Sequence, residues 1–306
     1  VDNGATWHVS NTFSGLMPGD YNIRVRLQSD PACETAYANN PVTINPVPTA
    51  PTVNAPTVTQ PTCALPTGTI TVNATGSGTL EYSVDNGATW HVSNTFSGLM
   101  PGDYNIRVRL QSSPTCETAY TGNPVTINPV PFPPIFLDCP GALFANTGPA
   151  TCSAPVSYTV TVTGLPAPTL TYTFSGATMG NGIGTGSGAV FNLGVTTVVV
   201  TATNDCGQAT CTFTVTVTDN QPPTVNCKPH TAYLNANGQA GISPSDVFAG
   251  GNDNCGTVNL VSVMSNMFNC GHIGANTVTL LANDGNGNTN TCTATVTVVD
   301  TIPPMA

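Results

Sequence analysis

Hydrophobic and polar residues alternate along most of the chain with the period of two that half-buried β-strands produce. In residues 105–110, Ile106, Val108 and Leu110 fall on one face of a strand, while Arg107 and Arg109 fall on the other. No stretch of the sequence shows the spacing of an amphipathic helix. The pattern therefore predicts an all-β protein whose sheets are buried on one face and solvated on the other.

Turn residues divide this alternation into short strands. The sequence Asp85-Asn86-Gly87 is typical of a tight hairpin turn and follows the second of these strands. Five or more short antiparallel strands within one repeat unit of 83 residues predict a small β-sandwich of immunoglobulin type. The predicted strands are residues 68–74, residues 80–84, a short segment around Trp90, residues 105–110 and residues 124–128.

Residues 1–48 return almost unchanged as residues 84–131, a shift of 83 positions (84 − 1). So close a match exceeds what a shared fold requires and indicates a recently duplicated repeat. The first copy lacks the front half of the unit, so we expect the chain to be a window from a longer array. Such a window would also explain why no signal peptide or sorting segment is visible. The copies share 44 of 48 residues (48 − 4) and differ only at Asp30/Ser113, Ala32/Thr115, Ala38/Thr121 and Asn39/Gly122.

Proline-rich segments follow the last predicted strand of each domain, at residues 45–61, 128–134, 219–223 and 300–304. Proline fixes φ and favours extended chain, so these segments are predicted to be short, semi-rigid joints. We therefore expect tandem immunoglobulin-like β-sandwich domains in an elongated rod. The expected domains are residues 1–48 (the second half of a repeat), 49–131 (a complete repeat), 132–219 and 220–303 (two further domains), with 304–306 beginning another repeat.

The charge balance disfavours two classes of partner. Charged residues make up only 7% of the chain, and five Lys and Arg oppose fifteen Asp and Glu, giving a formal net charge of −10. Binding to nucleic acid or to an anionic membrane surface requires clustered Lys and Arg. We therefore expect neither a nucleic-acid partner nor membrane insertion.

Eleven cysteines are present, without the CxxC spacing of a zinc site. Disulfides explain them better and indicate an oxidising, extracellular compartment. In the complete repeat, Cys63 and Cys116 lie near opposite ends and are expected to pair. Cys33, the copy of Cys116, is then left unpaired by the truncation, which accounts for the odd number.

Residues 132–219 and 220–303 form a second, more divergent pair of domains, each with four cysteines. If the first and last strands of each sandwich are neighbours, Cys139 reaches Cys211 and Cys227 reaches Cys292. The remaining pairs would then be Cys152 with Cys206 and Cys255 with Cys270. Because four cysteines allow three pairings, the sequence leaves this connectivity open.

Two segments resemble known families. The run GTITVNATGSGTLEYSVDNGATWHVSNTFSGLMPGDYNIRVRL resembles the SprB-type repeat of bacterial gliding adhesins of the Bacteroidota type, and this likeness covers residues 1–131. The sequences DNQPPTVNC, GNDNCG and GANTVTLLANDGNGNTNTCTATVTV resemble the hyalin-type (HYR) repeat over residues 220–303. Residues 132–219 depart from that pattern because they lack a DNCG segment and carry Cys206 beside Cys211. The resemblance implies very long cell-surface proteins, exported by type IX secretion, that form filaments and adhere to surfaces or glycans.

Trp7 and Trp90 are the candidate ligand contacts, since an indole beside a histidine can stack on a sugar. The competing interpretation, which we favour, is that Trp90 fills the core of a small sandwich. His230 and His272 are isolated, and surface or turn positions are expected for both.

Asp284, Asn286 and Asn288 place oxygen atoms at alternate positions, as a calcium loop does. The closing glutamate of such a loop is missing, and the same residues suit a tight β-turn. If Ca²⁺ binds, we expect it between domains, because Asp205, Asp219, Asp253 and Asp300 also lie in loops or joints. No other cofactor is expected. Asp300-Thr301-Ile302 looks like the Asp-Thr-apolar O-glycan motif of bacteria with type IX secretion, which makes Thr301 a candidate glycosylation site.

A catalytic site is not expected, because no serine has an identifiable base and the three glutamates, Glu34, Glu81 and Glu117, form no acid–base pair. The leading hypothesis is a structural and adhesive segment of a cell-surface filament or stalk. Two alternatives stay open: a carbohydrate-binding array of a secreted polysaccharide-degrading enzyme, and a subunit of a surface layer or sheath. The expected partners are neighbouring repeats, other copies or filament subunits, and surface glycans.

Overall fold

The computed structural model describes residues 1–303, and nearly all of its regular structure is β-strand. It forms two compact units, Val1–Val130 and the chain from Pro131 onward. The all-β, tandem immunoglobulin-like fold expected from the sequence is confirmed. The prediction that residues 304–306 begin a further repeat falls outside the described residues.

The first copy (residues 1–48) forms two small ladders. Strand β1 pairs antiparallel with β4, and β2 pairs antiparallel with β3. The strands are β1 (Gly19–Tyr21), β2 (Arg24–Arg26), β3 (Glu34–Ala36) and β4 (Val42–Ile44).

The complete repeat is a sandwich of two three-stranded sheets, ordered β5-β6-β8 and β11-β10-β7, with an additional β12-β9 ladder. Its core consists of β-branched residues from both sheets: Ile70, Val72, Val84, Ile106, Val108, Val125 and Ile127. The alternation predicted for residues 105–110 is therefore confirmed. The strands are β5 (Thr52–Thr59), β6 (Gly68–Thr75), β7 (Leu80–Ser83), β8 (Thr95–Leu99), β9 (Gly102–Tyr104), β10 (Arg107–Leu110), β11 (Ser113–Ala119) and β12 (Val125–Ile127).

The strand predicted around Trp90 is wrong. Residues 84–94 contain only turns and isolated bridges, one of which pairs His91 with Tyr82, and β8 begins at Thr95. The reason is local hydrogen bonding by Asp85 and Thr89, which closes a turn where a strand would need extended chain.

The second unit begins with a sandwich, here called the third domain (residues 131–219). Its main sheet has the order β14-β21-β20-β17-β18, and β14 runs parallel to β21. The β20–β21 hairpin buries alternate residues, including Val198, Val200 and Phe213. The strands are β13 (Phe132–Asp138), β14 (Leu143–Asn146), β15 (Ser153–Pro155), β16 (Thr161–Leu165), β17 (Thr169–Gly176), β18 (Gly180–Ile183), β19 (Val190–Asn192), β20 (Gly194–Asn204) and β21 (Gly207–Thr218).

The fourth domain (residues 220–303) has a β23-β29-β28-β26 sheet in which β23 is parallel to β29. Its core includes Val247, Phe268, Leu280 and Val296. Its elements are β22 (Thr224–Cys227), β23 (His230–Tyr233), β24 (Gln239–Gly241), α1 (Pro244–Val247), β25 (Phe248–Asn252), β26 (Asn259–Met264), β27 (Met267–Asn269), a 3₁₀ turn (Cys270–His272), β28 (Gly274–Asn283) and β29 (Thr289–Val299).

Disulfides join the two sheets of each of these domains. Cys139, just after β13, bonds to Cys211 in β21, and Cys227 in β22 bonds to Cys292 in β29. Both pairs are as predicted, but the premise that the first and last strands lie side by side is wrong: β13 pairs with β16 and β22 with β25, in sheets separate from those of β21 and β29. Within residues 1–303 no helix is both long and apolar enough to cross a bilayer.

The two copies of the repeat differ sharply in burial despite their near-identity. Leu110 is 1% exposed in the complete repeat, whereas its copy Leu27 is 59% exposed. In the complete repeat the sheet that contains β5, β6 and β8 covers this face, and residues 1–48 contain no counterpart of β5 or β6.

Leu110→Ala should lower the free energy of unfolding of the complete repeat by about 2–5 kcal/mol, because it removes a fully buried side chain. In a fragment limited to residues 1–306, Leu27→Ala should cost less than about 0.5 kcal/mol, because that fragment contains no counterpart of β5 or β6 to cover the Leu27 side chain. Urea unfolding followed by the fluorescence of Trp90 (with Trp7→Phe) or of Trp7 (with Trp90→Phe) measures each copy separately. Equal losses in the two copies would contradict the difference in packing.

Candidate functional site

Trp90 lies on the outer face of the β7–β10–β11 sheet. The Arg109 guanidinium carbon is 4.2 Å from the centroid of its ring, and Arg109 points away from the core that contains Val108. The indole is half-buried. The interpretation that Trp90 fills the core is therefore wrong, because aliphatic residues with Tyr82 and Phe96 packed against them already fill it.

Ion pairs flank the stacked arginine across the sheet. Arg109 Nε donates to Glu81 Oε2 at 2.7 Å, and Arg107 Nη1 donates to Glu117 Oε1 at 2.6 Å. These cross-strand pairs restrict where the guanidinium groups lie over the sheet. A cation–π contact of this kind at a partly exposed site contributes about 0.5–1 kcal/mol.

The turn that precedes Trp90 is organised by Asp85. Its carboxylate accepts hydrogen bonds from the Ser83 hydroxyl (2.6 Å), the Thr89 N–H (2.9 Å) and the Thr89 hydroxyl (2.6 Å). Desolvation acts to raise the pKa of Asp85, but these hydrogen bonds outweigh it and lower the pKa to about 2. Asn86, with φ of 64°, and Gly87, with φ of 90°, supply the left-handed residues that the turn needs.

The first copy (residues 1–48) repeats this arrangement. The Arg26 guanidinium carbon is 4.2 Å from the centroid of the Trp7 ring, and Arg24 is paired with Glu34 at 2.6 Å. The Trp–Arg contact therefore depends on residues of the second half of the repeat alone, and Trp7 and Trp90 present the same surface twice.

A second polar cluster lies where the third and fourth domains meet, and we call it the domain junction. It comprises residues 147–152 of the third domain, residues 253–256 and 284–288 of the fourth domain, and residues 219–221 at the boundary of the two, here called the link. The Gln221 side-chain amide donates to the carbonyls of Thr147 (3.2 Å) and Gly148 (2.9 Å). Asn254 donates weakly to the Thr147 hydroxyl at 3.3 Å.

A disulfide crosses the domain junction. Cys152 of the third domain bonds to Cys255 of the fourth domain. The predicted pairs Cys152–Cys206 and Cys255–Cys270 are therefore wrong, since Cys270 is an exposed free thiol and Cys206 is disulfide-bonded elsewhere. The physical reason is that residues 151–152 and 254–255 approach each other across the junction, a proximity that reasoning about single domains cannot supply.

The predicted Cys63–Cys116 pair is also wrong. Cys116 is a half-buried free thiol in β11, whereas Cys63, itself disulfide-bonded, follows β5 in the opposite sheet. Cys33, expected to be unpaired, is an exposed free thiol.

Three aspartates meet at the domain junction. One carboxylate oxygen from each of Asp219, Asp253 and Asp284 lies within 4.8 Å of the others. Asp219 is 8% exposed and Asp284 is 2% exposed. Asp219 follows the last strand of the third domain, Asp253 follows β25, and Asp284 opens the β28–β29 turn.

Hydrogen bonds hold Asp284 in place. Its carboxylate accepts from the Asn288 side-chain amide (2.6 Å) and from the N–H groups of Asn286 (2.7 Å) and Asn288 (3.1 Å). Desolvation acts to raise the pKa of Asp284, but these hydrogen bonds together lower it, which favours the ionised form.

Gly256 brings the two loops of the fourth domain together. A Cβ atom at Gly256 would lie 2.2 Å from the Asp284 carbonyl oxygen, so any other residue would push the loops apart. The sequence singled out Asp284, Asn286 and Asn288 as candidate metal ligands, and the structure places all three at the domain junction. From the sequence, Asp219 and Asp253 are only two of several aspartates in loops or joints. The available signal was their position in the two segments that resemble the HYR repeat, Asp219 in DNQPP and Asp253 in DNCG.

The remaining candidates lie apart from both clusters. His230 is half-buried in β23, and the ring of the exposed His272 accepts a hydrogen bond from the Asn269 N–H. Thr301 is exposed, and the neighbouring Asp300 accepts from the Ile302 N–H.

Comparison with known proteins identifies one domain family and several structural likenesses. The HYR domain matches residues 218–298. No match is found among the curated proteins compared. The I-band fragment I67–I69 of titin is similar at 14% identity with a TM-score of 0.48, covering 83% of this chain and 99% of that one. Sidekick-1 immunoglobulin domains 1–5 are similar at 12% identity with a TM-score of 0.34, covering 85% of this chain and 62% of that one.

Drosophila N-cadherin EC1–4 is also similar, at 16% identity with a TM-score of 0.32 over 82% of this chain and 75% of that one. HYR and immunoglobulin-like domains are typical of extracellular, adhesion-type proteins and are typically non-enzymatic. The disulfides are consistent with an oxidising, extracellular compartment.

Acid should destabilise the complete repeat through Asp85. Because its folded pKa is depressed to about 2 from an unfolded value near 3.9, its contribution is fully present above about pH 4 and is lost as the pH falls towards 2. Asp85→Asn should therefore reduce the difference in unfolding free energy between pH 5 and pH 2.5, measured by Trp90 fluorescence in a Trp7→Phe background. Asp103→Asn is the control, since the Asp103 carboxylate accepts one hydrogen bond, from Thr126. Equal acid sensitivity in Asp85→Asn and the parent would contradict this role.

Proposed function

We propose that this chain is a structural and adhesive segment of an extracellular repeat protein that forms a stalk or filament at a cell surface. The observation that carries the proposal is the domain junction, where a disulfide and several hydrogen bonds fasten two successive sandwiches. A joint fixed in this way resists bending, which is what a stalk requires and what a free binding module does not.

The repeats support the same function. Near-identical copies extend reach without adding new chemistry, as expected of an array whose purpose is length. The resemblance of residues 1–131 to SprB-type repeats supports a bacterial gliding or cell-surface adhesin exported by type IX secretion. The expected partners are neighbouring repeats and other filament subunits, and we propose no enzymatic activity.

The stalk proposal can be tested on the native protein. Antibodies raised against this segment should label extended filaments on intact cells, and negative-stain microscopy of the isolated protein should show beads at the spacing of one sandwich. Preimmune antibodies provide the control. If the antibodies label only short particles attached to a globular enzyme, the stalk proposal is wrong and a carbohydrate-binding accessory module is favoured.

Glycan binding by the repeat is a second candidate function, favoured by one observation. Trp90 is half-buried on the outer face rather than in the core, so part of its ring is available to stack on a sugar. The duplicated Trp7 would give two such sites within the first unit.

This candidate predicts that glycan-array binding is retained in part by Trp90→Ala and lost in Trp7→Ala/Trp90→Ala. Circular dichroism should show no unfolding, because neither indole belongs to the core. Thr57→Ala, which alters an exposed residue of β5 in the opposite sheet, is the control and should bind glycans as the parent does. Unchanged binding in the double variant would exclude the tryptophans as the glycan site.

A further inference from the structure

The domain junction concentrates negative charge in a confined space. Asp219 and Asp284 are buried, and each contributes an oxygen within 4.8 Å of an oxygen of Asp253. Carboxylates brought this close repel one another, and the repulsion grows as water is removed. Such an arrangement needs a compensating positive charge.

The side chains of the second unit do not provide that charge. Among the described residues, none of the three aspartates forms an ion pair. The sequence of this unit contains a single basic residue other than histidine, Lys228, which follows β22. The hydrogen bonds that Asp219 and Asp284 accept come from neutral groups: hydroxyl, amide and backbone N–H.

Asp253 adds an independent indication of a ligand. Its Oδ2 atom accepts a hydrogen bond from the Cys255 N–H at 2.8 Å, whereas its Oδ1 atom is buried and has no donor. Within residues 1–303 it is the one buried side-chain nitrogen or oxygen atom without a hydrogen-bond partner. A carboxylate oxygen withdrawn from water without a partner is costly, and its position beside two other carboxylates points to an absent cation.

We propose that the domain junction binds one Ca²⁺ ion through the carboxylates of Asp219, Asp253 and Asp284. Oxygen atoms on one calcium ion, each at about 2.3–2.6 Å, lie no more than about 5 Å apart, and the observed spacing meets that limit. The donors are oxygens only, since the nearby sulfur of Cys255 is held in a disulfide, and such a set suits a hard cation.

Asn286 is the fourth candidate ligand. Its side-chain amide lies 3.4 Å from Asp219 Oδ2 and 3.5 Å from the Cys255 carbonyl. Turning this amide by half a rotation would direct its oxygen instead of its nitrogen towards the carboxylates. The ion would then connect the link to both loops of the fourth domain. This inference rests on the geometry of the domain junction and holds whichever function the segment serves.

Isothermal titration of the EDTA-treated protein with CaCl₂ tests the proposal, with differential scanning calorimetry as a second readout. We expect one site per chain and a Ca²⁺-dependent rise in the unfolding temperature of the second unit. Asp253→Asn should weaken Ca²⁺ binding at least about tenfold, because it removes a charged ligand. In EDTA the same variant should be at least as stable as the parent, because it relieves repulsion while leaving an acceptor for the Cys255 N–H.

Asp205→Asn is the matched control. Asp205 occupies the corresponding turn of the third domain, after β20, but is exposed and has no clustered carboxylates. It should leave Ca²⁺ affinity unchanged. Absence of binding at millimolar CaCl₂, an equal loss in Asp205→Asn, or tighter binding of MgCl₂ than of CaCl₂ would overturn the proposal.

Discussion

The covering of one sheet face by another is the constraint on which each sandwich depends. Strand β10 (Arg107–Leu110) has the same sequence as residues 24–27 of the first copy, yet within the described residues Leu110 is buried and Leu27 is exposed. Period-two alternation therefore determines which side chains can be buried, while the presence of the facing sheet determines whether they are. The Trp–Arg surface needs no facing sheet, because it lies on the outside, and it is formed in both copies.

This difference explains how much of the structure could be predicted. The alternation of Ile106, Val108 and Leu110 follows from the geometry of a single strand, and the sequence predicted it. The Cys139–Cys211 pair joins two sheets within one domain, so its cysteines could be matched by their positions near the two ends of that domain. Trp90 was misplaced because residue size suggested a core position, whereas hydrogen bonding by Asp85 directs the turn outward. The Cys152–Cys255 bond was missed because its partners belong to different domains, and no pattern within one domain encodes their proximity.

The candidate metal ligands also show that sequence patterns within one loop do not reveal contacts between distant segments. The spacing of Asp284, Asn286 and Asn288 marked one loop, but the other two carboxylates come from positions 65 and 31 residues earlier (284 − 219 and 284 − 253). Folding of the fourth domain brings Asp253 close to Asp284, and the packing of the third domain against the fourth adds Asp219. The disulfide, the amide hydrogen bonds and the acidic cluster thus occupy one region, whose contacts join residues far apart in the sequence.

The near-identity of the two copies has a further consequence for folding. Strands β5 and β6 lie in the sheet that faces β10, and β7 pairs with β10 directly. The residues that these strands contact in residues 84–130 recur almost unchanged in residues 1–47. A growing or refolding chain can therefore pair these strands with the wrong copy and form an exchanged sandwich of nearly equal local stability. Tandem repeats this similar are prone to such domain swapping, and four substitutions do little to prevent it. Discrimination must come from chain connectivity: β7 ends at Ser83, directly before residue 84, which favours pairing with the copy that follows in the chain over the copy that precedes it.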